Sequence, residues 1–220
     1  MSLHEMMFAA MEAVPGQAVF TGSTAWPVPS GVFKISMVCV QPGGTNSATE
    51  VAVDGVVVCR ALNWGRIGQG GGEGGWGAAP YDDGYARQPG GGGGAGGYMG
   101  NGGKGGVYGF YDTQGSGGGG DGGNTVGGLG VGLRGLGSAP GSDRNGYIGG
   151  SYGGGSAGVD DTSPGSMGGA CAWVNDVAVT PGQQVQVTVP AVLPWSLQGA
   201  GAVRIMWGGD RSYPNNAGDL

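Results

Sequence analysis

The residue types behind most enzyme chemistry are scarce in this chain. His4 is the only histidine in 220 residues, so neither a Ser-His-Asp nor a Cys-His arrangement is available for nucleophilic catalysis. The stretch Gly130-Val131-Gly132-Leu133-Arg134-Gly135 matches the dinucleotide fingerprint GxGxxG. No strand pattern precedes it and no helix pattern follows, so the match carries no weight. Lys104 is followed by glycine rather than Ser or Thr, which removes a phosphate-binding P-loop. Asp82-Asp83 and Asp160-Asp161 have the charge for calcium but lack the spacing of a known ligand loop, and read as solvated acidic turns. A carboxylate pair for glycoside hydrolysis stays open, because that chemistry depends on distance in space. The expectation is no enzyme, no cofactor and no resident metal.

What is present is recognition chemistry. Tyr81, Asp82, Asp83, Tyr85 and Arg87 cluster in one segment, and Ser142, Asp143, Arg144, Asn145 and Tyr147 in another. Tyrosine supplies rigid amphipathic contact area, and aspartate, asparagine and arginine supply hydrogen bonds. On a rigid frame this mixture serves antibody-like recognition and sugar binding. The alternative is that both segments are solvated turns, polar because turns are polar.

Display depends on the frame, and the frame is mostly glycine. The chain has 58 glycines, of which 46 lie in the 105 residues from Gly65 to Gly169. Gly91, Gly94, Gly97, Gly100, Gly103, Gly106 and Gly109 recur at period three, as do Gly65, Gly68, Gly71, Gly74 and Gly77. Three is the repeat of a polyproline-II type helix. Collagen shares it but needs proline at the other positions, which here hold Gly, Ala, Tyr, Met, Asn, Lys and Val. The pattern therefore predicts a single-chain bundle of polyglycine-II helices, with disorder of the block as the competing expectation. Such a helix makes no internal hydrogen bonds, so each buried N–H and C=O must pair with a neighbour across a gap too narrow for side chains.

Four runs are expected, roughly Gly65 to Gly77, Gly90 to Gly109, Gly117 to Gly137 and Gly149 to Gly158. Ala78 to Pro89 and Ser138 to Ile148 would then lie at a far tip, and Phe110 to Ser116 near a base. At about 3.1 Å per residue a run would carry the tip well clear of that base.

The base is legible at both ends of the chain. Residues 1–64 and 170–220 have ordinary composition and suffice for one small core. Ser2-Leu3-His4-Glu5 has the form of a capping box and opens an apolar, methionine-rich stretch, which predicts a short helix over 2–13. Phe33, Ile35, Met37 and Cys39 alternate with Lys34, Ser36, Val38 and Val40, the period of a strand. Asp54-Gly55 between Val51–Val53 and Val56–Val58 is the signal for a two-residue hairpin. Strand texture returns from Ala172 to Val179, turns at Pro181-Gly182, resumes at Val185, Val187 and Val189, and ends in Ala202 to Trp207. The expected fold is all-β: a small sandwich-like framework of N- and C-terminal strands, with the polyglycine-II bundle of 65–169 inserted.

Charge narrows the partners. Nine Lys and Arg against 15 Asp and Glu give a net charge of −6, so the cationic surface needed to neutralise nucleic-acid phosphates is missing. Glu5 and Glu12 stand where a secretory signal wants a basic start and an unbroken apolar run. Cys39, Cys59 and Cys171 lack CxxC spacing and read as small buried apolar groups on strands.

Three stretches bear a family likeness: ACAWVNDVAVTPGQQVQVTV (Ala170 to Val189), GAVRIMWG (Gly201 to Gly208) with Arg211-Ser212-Tyr213-Pro214, and VPSGVFKISMVCVQPGG (Val28 to Gly44). Together they resemble the glycine-rich tail-fibre and receptor-binding proteins of tailed bacteriophages. The resemblance implies a β framework around a glycine-rich insertion with recognition loops at its end. It further implies a virion protein assembled in the host cytoplasm, with other tail or fibre proteins and a bacterial surface glycan or outer-membrane protein as partners. Homo-oligomerisation is left open. Two other expectations compete: a structural head, collar or tail decoration that binds nothing, and an ice-binding face. The irregular Tyr, Met, Lys and Arg placements speak against ice.

Overall fold

The computed structural model describes residues 13–84, 87–107, 114–116, 119–123, 125–139, 145–192, 197–209 and 211–218. The helix expected over 2–13 lies outside them except for Ala13, which belongs to no helix. Among the described residues the chain is all-β, with antiparallel sheets and no helix.

Eleven strands are described: β1 (Gly16–Phe20), β2 (Thr24–Pro27), β3 (Lys34–Val40), β4 (Thr49–Val53), β5 (Val56–Ala61), β6 (Gly70–Gly72), β7 (Tyr81–Asp82), β8 (Arg87–Gln88), β9 (Cys171–Ala178), β10 (Gln184–Thr188) and β11 (Ala202–Trp207). One sheet runs β1-β11-β3-β9-β6 and a second β2-β10-β4-β5, so each contains strands from both ends of the chain. Local chemistry sets the joints. Asp54 and Gly55 have φ of 49° and 76°, the left-handed pair that a two-residue hairpin between twisted strands needs. Between β9 and β10, Gly182 turns at φ 81° and the Gln183 N–H donates to the Thr180 carbonyl at 3.0 Å.

The two sheets face each other over a valine-rich core. Ile35, Met37 and Cys39 of β3 and Val203 and Ile205 of β11 meet Val51, Cys59, Val185 and Val187 of the second sheet. All three cysteines are buried and free on strands. The Cys59 thiol donates to the Ala172 carbonyl at 3.5 Å, and burial pushes the Cys39 thiol upward.

The first sheet is covered on its other face as well. Val38, Val40, Ala202 and Met206 pack with Ala95, Tyr98, Val131, Leu133 and Tyr213. That is why Ile35 to Val40 are buried without interruption. Arg204 of β11, 1% exposed, holds this second core shut. Its guanidinium donates to the Gln17 side chain at 3.0 Å, the Leu133 carbonyl at 3.2 Å, the Tyr213 hydroxyl at 3.3 Å, the Gly218 carbonyl at 3.0 Å, and the Ala217 carbonyl. Tyr98 stacks on Tyr213 with centroids 5.6 Å apart and donates its hydroxyl to the Gly132 carbonyl at 2.8 Å. Burial raises both phenols well above their ordinary range.

Beyond this layer the glycine segments pair with one another through their backbones. The N–H groups of Gly90, Gly93 and Gly96 donate to the carbonyls of Ser163, Ser166 and Gly169; those of Gly91, Gly94 and Gly97 to Gly106, Gly103 and Gly100; those of Gly92 and Ala95 to Val126 and Leu129, all at 2.8–3.1 Å. Direction thus repeats every third residue. The carbonyls of the same segment accept from three further neighbours: Gly90 and Gly93 from Gly158 and Gly155, Gly91 and Gly94 from Ala78 and Gly75, Gly92 and Ala95 from Gly123 and Gly120. Residues 90–97 are therefore ringed by six segments, and all of them are buried.

The four expected runs are subdivided. The run over 90–109 turns back at Tyr98–Gly100, where the Gly97 N–H meets the Gly100 carbonyl, and the run over 117–137 reverses between Gly123 and Val126. Glycines near the start of the block, Gly70 to Gly72, join the first sheet beside β9. Residues 114–116 lie toward the sheets, with the Ser116 N–H on the Asn101 carbonyl at 2.9 Å.

Close approach dictates the residue type. A Cβ at Gly91 would fall 1.7 Å from the Gly123 carbonyl oxygen, and one at Gly94 2.0 Å from that of Gly120. Neither oxygen can retreat without losing its own hydrogen bond. Gly94→Ala is expected to cost about 3 kcal/mol or more in denaturant unfolding. Gly22→Ala, with nothing within 4 Å of the added carbon, should change stability by less than about 0.5 kcal/mol. Equal effects of the two substitutions would contradict the packing argument.

Candidate functional site

Of the residues expected to make contacts, the described ones sit on loops that leave one end of this array. Ala78 and Gly90, which bond to Gly91 and to Ser163, flank the first loop. Within it β7 and β8 form a short hairpin, Tyr81 opposite Gln88 and Asp82 opposite Arg87. Asp82 accepts from the Arg87 Nε at 2.9 Å and from the Gly84 N–H at 2.9 Å. The Tyr81 hydroxyl donates to Asp83 at 3.2 Å, and this bond to a carboxylate pushes the phenol upward. Tyr85 lies outside the described residues.

Asn145 and Tyr147 belong to the second loop, where Asn145 and Ile148 exchange backbone hydrogen bonds of 3.2 and 3.0 Å around Gly146 at φ 56°. Ser142, Asp143 and Arg144 lie outside the described residues. The Tyr147 carbonyl accepts the Ala157 N–H at 2.9 Å, and Gly158 bonds to Gly90 at 2.9 Å. Both loops therefore stand at the same end of the array.

A third loop joins them that sequence reasoning treated only as an acidic turn. Asp160 accepts from the Thr162 N–H at 2.9 Å, the Thr162 hydroxyl at 2.8 Å and the Ser163 hydroxyl at 2.8 Å. These bonds, that from Ser163 foremost, hold its carboxyl below the ordinary range. The signal was present as Asp160-Asp161-Thr162-Ser163, an acid followed by two hydroxyls that fold back on it. The loops also expose apolar side chains: Val159 at 61%, Tyr147 at 47% and Ile148 at 41%.

The arrangement offers hydrogen-bonding groups and tyrosine or aliphatic surface. Among the described residues no cluster of three His, Cys, Asp or Glu groups could hold a metal ion, and no helix is long and apolar enough to cross a membrane. A pocket of about 740 Å³ lies elsewhere, at the Lys34 end of β3, between Pro15, Phe33, Asp176 and Trp207. Set against known protein families, characterised proteins and solved structures, the chain matches none.

Asp160 gives the loop end a pH response whose sign follows from its depressed pKa. The stabilisation is full above the ordinary carboxylate range and is lost as pH falls through the folded-state value. Acidification past the ordinary carboxylate value of about 3.9 and on through the lower folded-state value should release the Thr162 amide, read by hydrogen exchange after correction for intrinsic rates. Asp160→Ala should release it already at neutral pH. A Thr162 amide equally protected in both proteins would remove Asp160 as the organiser of this turn.

Proposed function

We propose that the chain is a virion protein of a tailed bacteriophage, in a tail fibre or tail tip, and that its loops bind a surface receptor of the host bacterium. The β framework attaches it to other virion proteins. The glycine block is a polyglycine-II bundle, a reading supported by donor directions that repeat every third residue and by the absence of room for a Cβ. The observation that carries the functional reading is the convergence of three loops at one end of a glycine-rich array, exposing Tyr147, Ile148 and Val159 at the same end as the Asp82–Arg87 pair. Exposed aromatic and aliphatic groups mixed with hydrogen-bonding side chains suit a bacterial glycan or an outer-membrane protein.

A second reading, a structural projection that binds nothing, has one observation in its favour. Several loop groups already satisfy one another, Asp82 with Arg87 and Tyr81 with Asp83. Substitution separates the two. Tyr81→Ala, Arg87→Ala and Tyr147→Ala together should leave thermal unfolding within a few degrees of the parent and slow phage adsorption about tenfold or more, as loss of interface anchors does. Adsorption at the parental rate would reject the loop assignment and favour the projection.

A further inference from the structure

Away from the loops, two tryptophans stand side by side in water. Trp64, 61% exposed, follows β5, and Trp76, 57% exposed, lies on the glycine segment that accepts N–H groups from Gly102 and Gly105. Their ring centroids are 5.3 Å apart at an interplanar angle of 45°. Large indoles are normally withdrawn from water, and a contiguous exposed pair calls for a partner.

The backbone is built to put Trp64 there. It occupies the third position of a turn closed by the Gly65 N–H on the Leu62 carbonyl at 3.0 Å, with φ 59°. A bulky side chain is disfavoured in that left-handed region, where glycine or asparagine is at ease. The preceding Asn63 is fastened on three sides. Its N–H donates to the Gln41 side chain at 3.0 Å, its side-chain N–H to the Gly168 carbonyl at 2.9 Å, and its side-chain oxygen accepts the Gly74 N–H at 2.9 Å. The same asparagine thus ties the turn carrying Trp64 to the segment carrying Trp76. Trp76 is equally committed, because Gly75 and Gly77 on either side have backbone oxygens 2.0 and 2.1 Å from where a Cβ would be. Side chains can leave this segment only outward.

We infer that Trp64 and Trp76 form a stacking platform for pyranose rings of a glycan, separate from the loops. Two neighbouring indoles, each more than half exposed, offer adjoining aromatic surface to solvent. β-Linked gluco- and N-acetylglucosaminyl rings carry a face of axial C–H groups that lies against an indole while their hydroxyls stay in water. The chain's net charge of −6 gives a neutral glycan the advantage over an anionic one.

The test is saturation-transfer NMR on the purified full chain with cellohexaose, with chitohexaose, and with sorbitol as an acyclic polyol that has no such face. Saturable transfer to ring C–H protons of at least one hexasaccharide, with none to sorbitol, is expected. Trp76→Ala and Trp64→Asn should each weaken it about tenfold, the scale of one lost aromatic contact, with unfolding curves that stay cooperative. Tyr81→Ala with Arg87→Ala should leave it unchanged. No saturable transfer to either hexasaccharide overturns the inference, as does transfer indifferent to both tryptophan variants. Self-association of the parent, abolished by the same two substitutions in sedimentation, also overturns it, because a second copy would then cover the indoles. Transfer lost only in the Tyr81 and Arg87 variant overturns the separate platform while leaving the loop reading intact.

Discussion

Everything in this molecule depends on pairing peptide groups that have no strand or helix to pair within. Residues 90–97 are buried, so water cannot reach their N–H and C=O groups, and each group left unpaired would cost about 1–3 kcal/mol. Six surrounding segments supply the partners. They come close enough only because almost every residue at a crossing lacks a side chain. Ala95 is the exception in the central segment, and its methyl falls where the array meets the sheet, 3.1 Å from the position of a Cβ on Gly153 and in the cluster with Val40. Glycine is costly to order, on the order of 1–2 kcal/mol per residue in backbone entropy. Near-complete hydrogen bonding therefore goes hand in hand with the sandwich that anchors both ends of the block.

The first sheet is the hinge of that arrangement. One face closes the valine core against β4, β5 and β10, and the other receives Tyr98, Val131 and Leu133 from the glycine block. A buried arginine is an unusual way to seal such a layer. Arg204 earns its position through geometry: five donors in a planar fork satisfy carbonyls from the 132–135 loop and the C-terminal tail at once. No apolar residue could hold those carbonyls away from water.

Much of the framework was legible because local and tertiary demands agreed. Asp54-Gly55 is a hairpin in isolation and a hairpin in the fold, and the alternation from Lys34 to Cys39 marks a strand. β1 and β2 were not legible: GQAVF and TAWP are short edge segments without a sustained period. The period of three in the glycines was visible, but its division was not. Tyr98 and Met99 interrupt the run without breaking phase, so the turn they make looks like continuation. Of the loop residues, Tyr81, Asp82, Asp83, Arg87, Asn145 and Tyr147 lie at one end of the array. The Asp160 turn joins them there through Gly90, a neighbour in space that no spacing rule reveals. Trp64 escaped notice for a similar reason, since its meaning lies in a turn that Asn63 fastens to distant carbonyls.

The glycine array also has a calorimetric character. An ordinary domain raises its heat capacity on unfolding because apolar side chains meet water, whereas exposed peptide groups lower it. Melting residues 90–97 and their six neighbours uncovers mainly peptide. The block's stability should thus bend little with temperature, while the sandwich beside it follows the usual dome. Cold, which weakens cores held by apolar contact, acts first on the framework and on the apolar layer where it meets the glycine block.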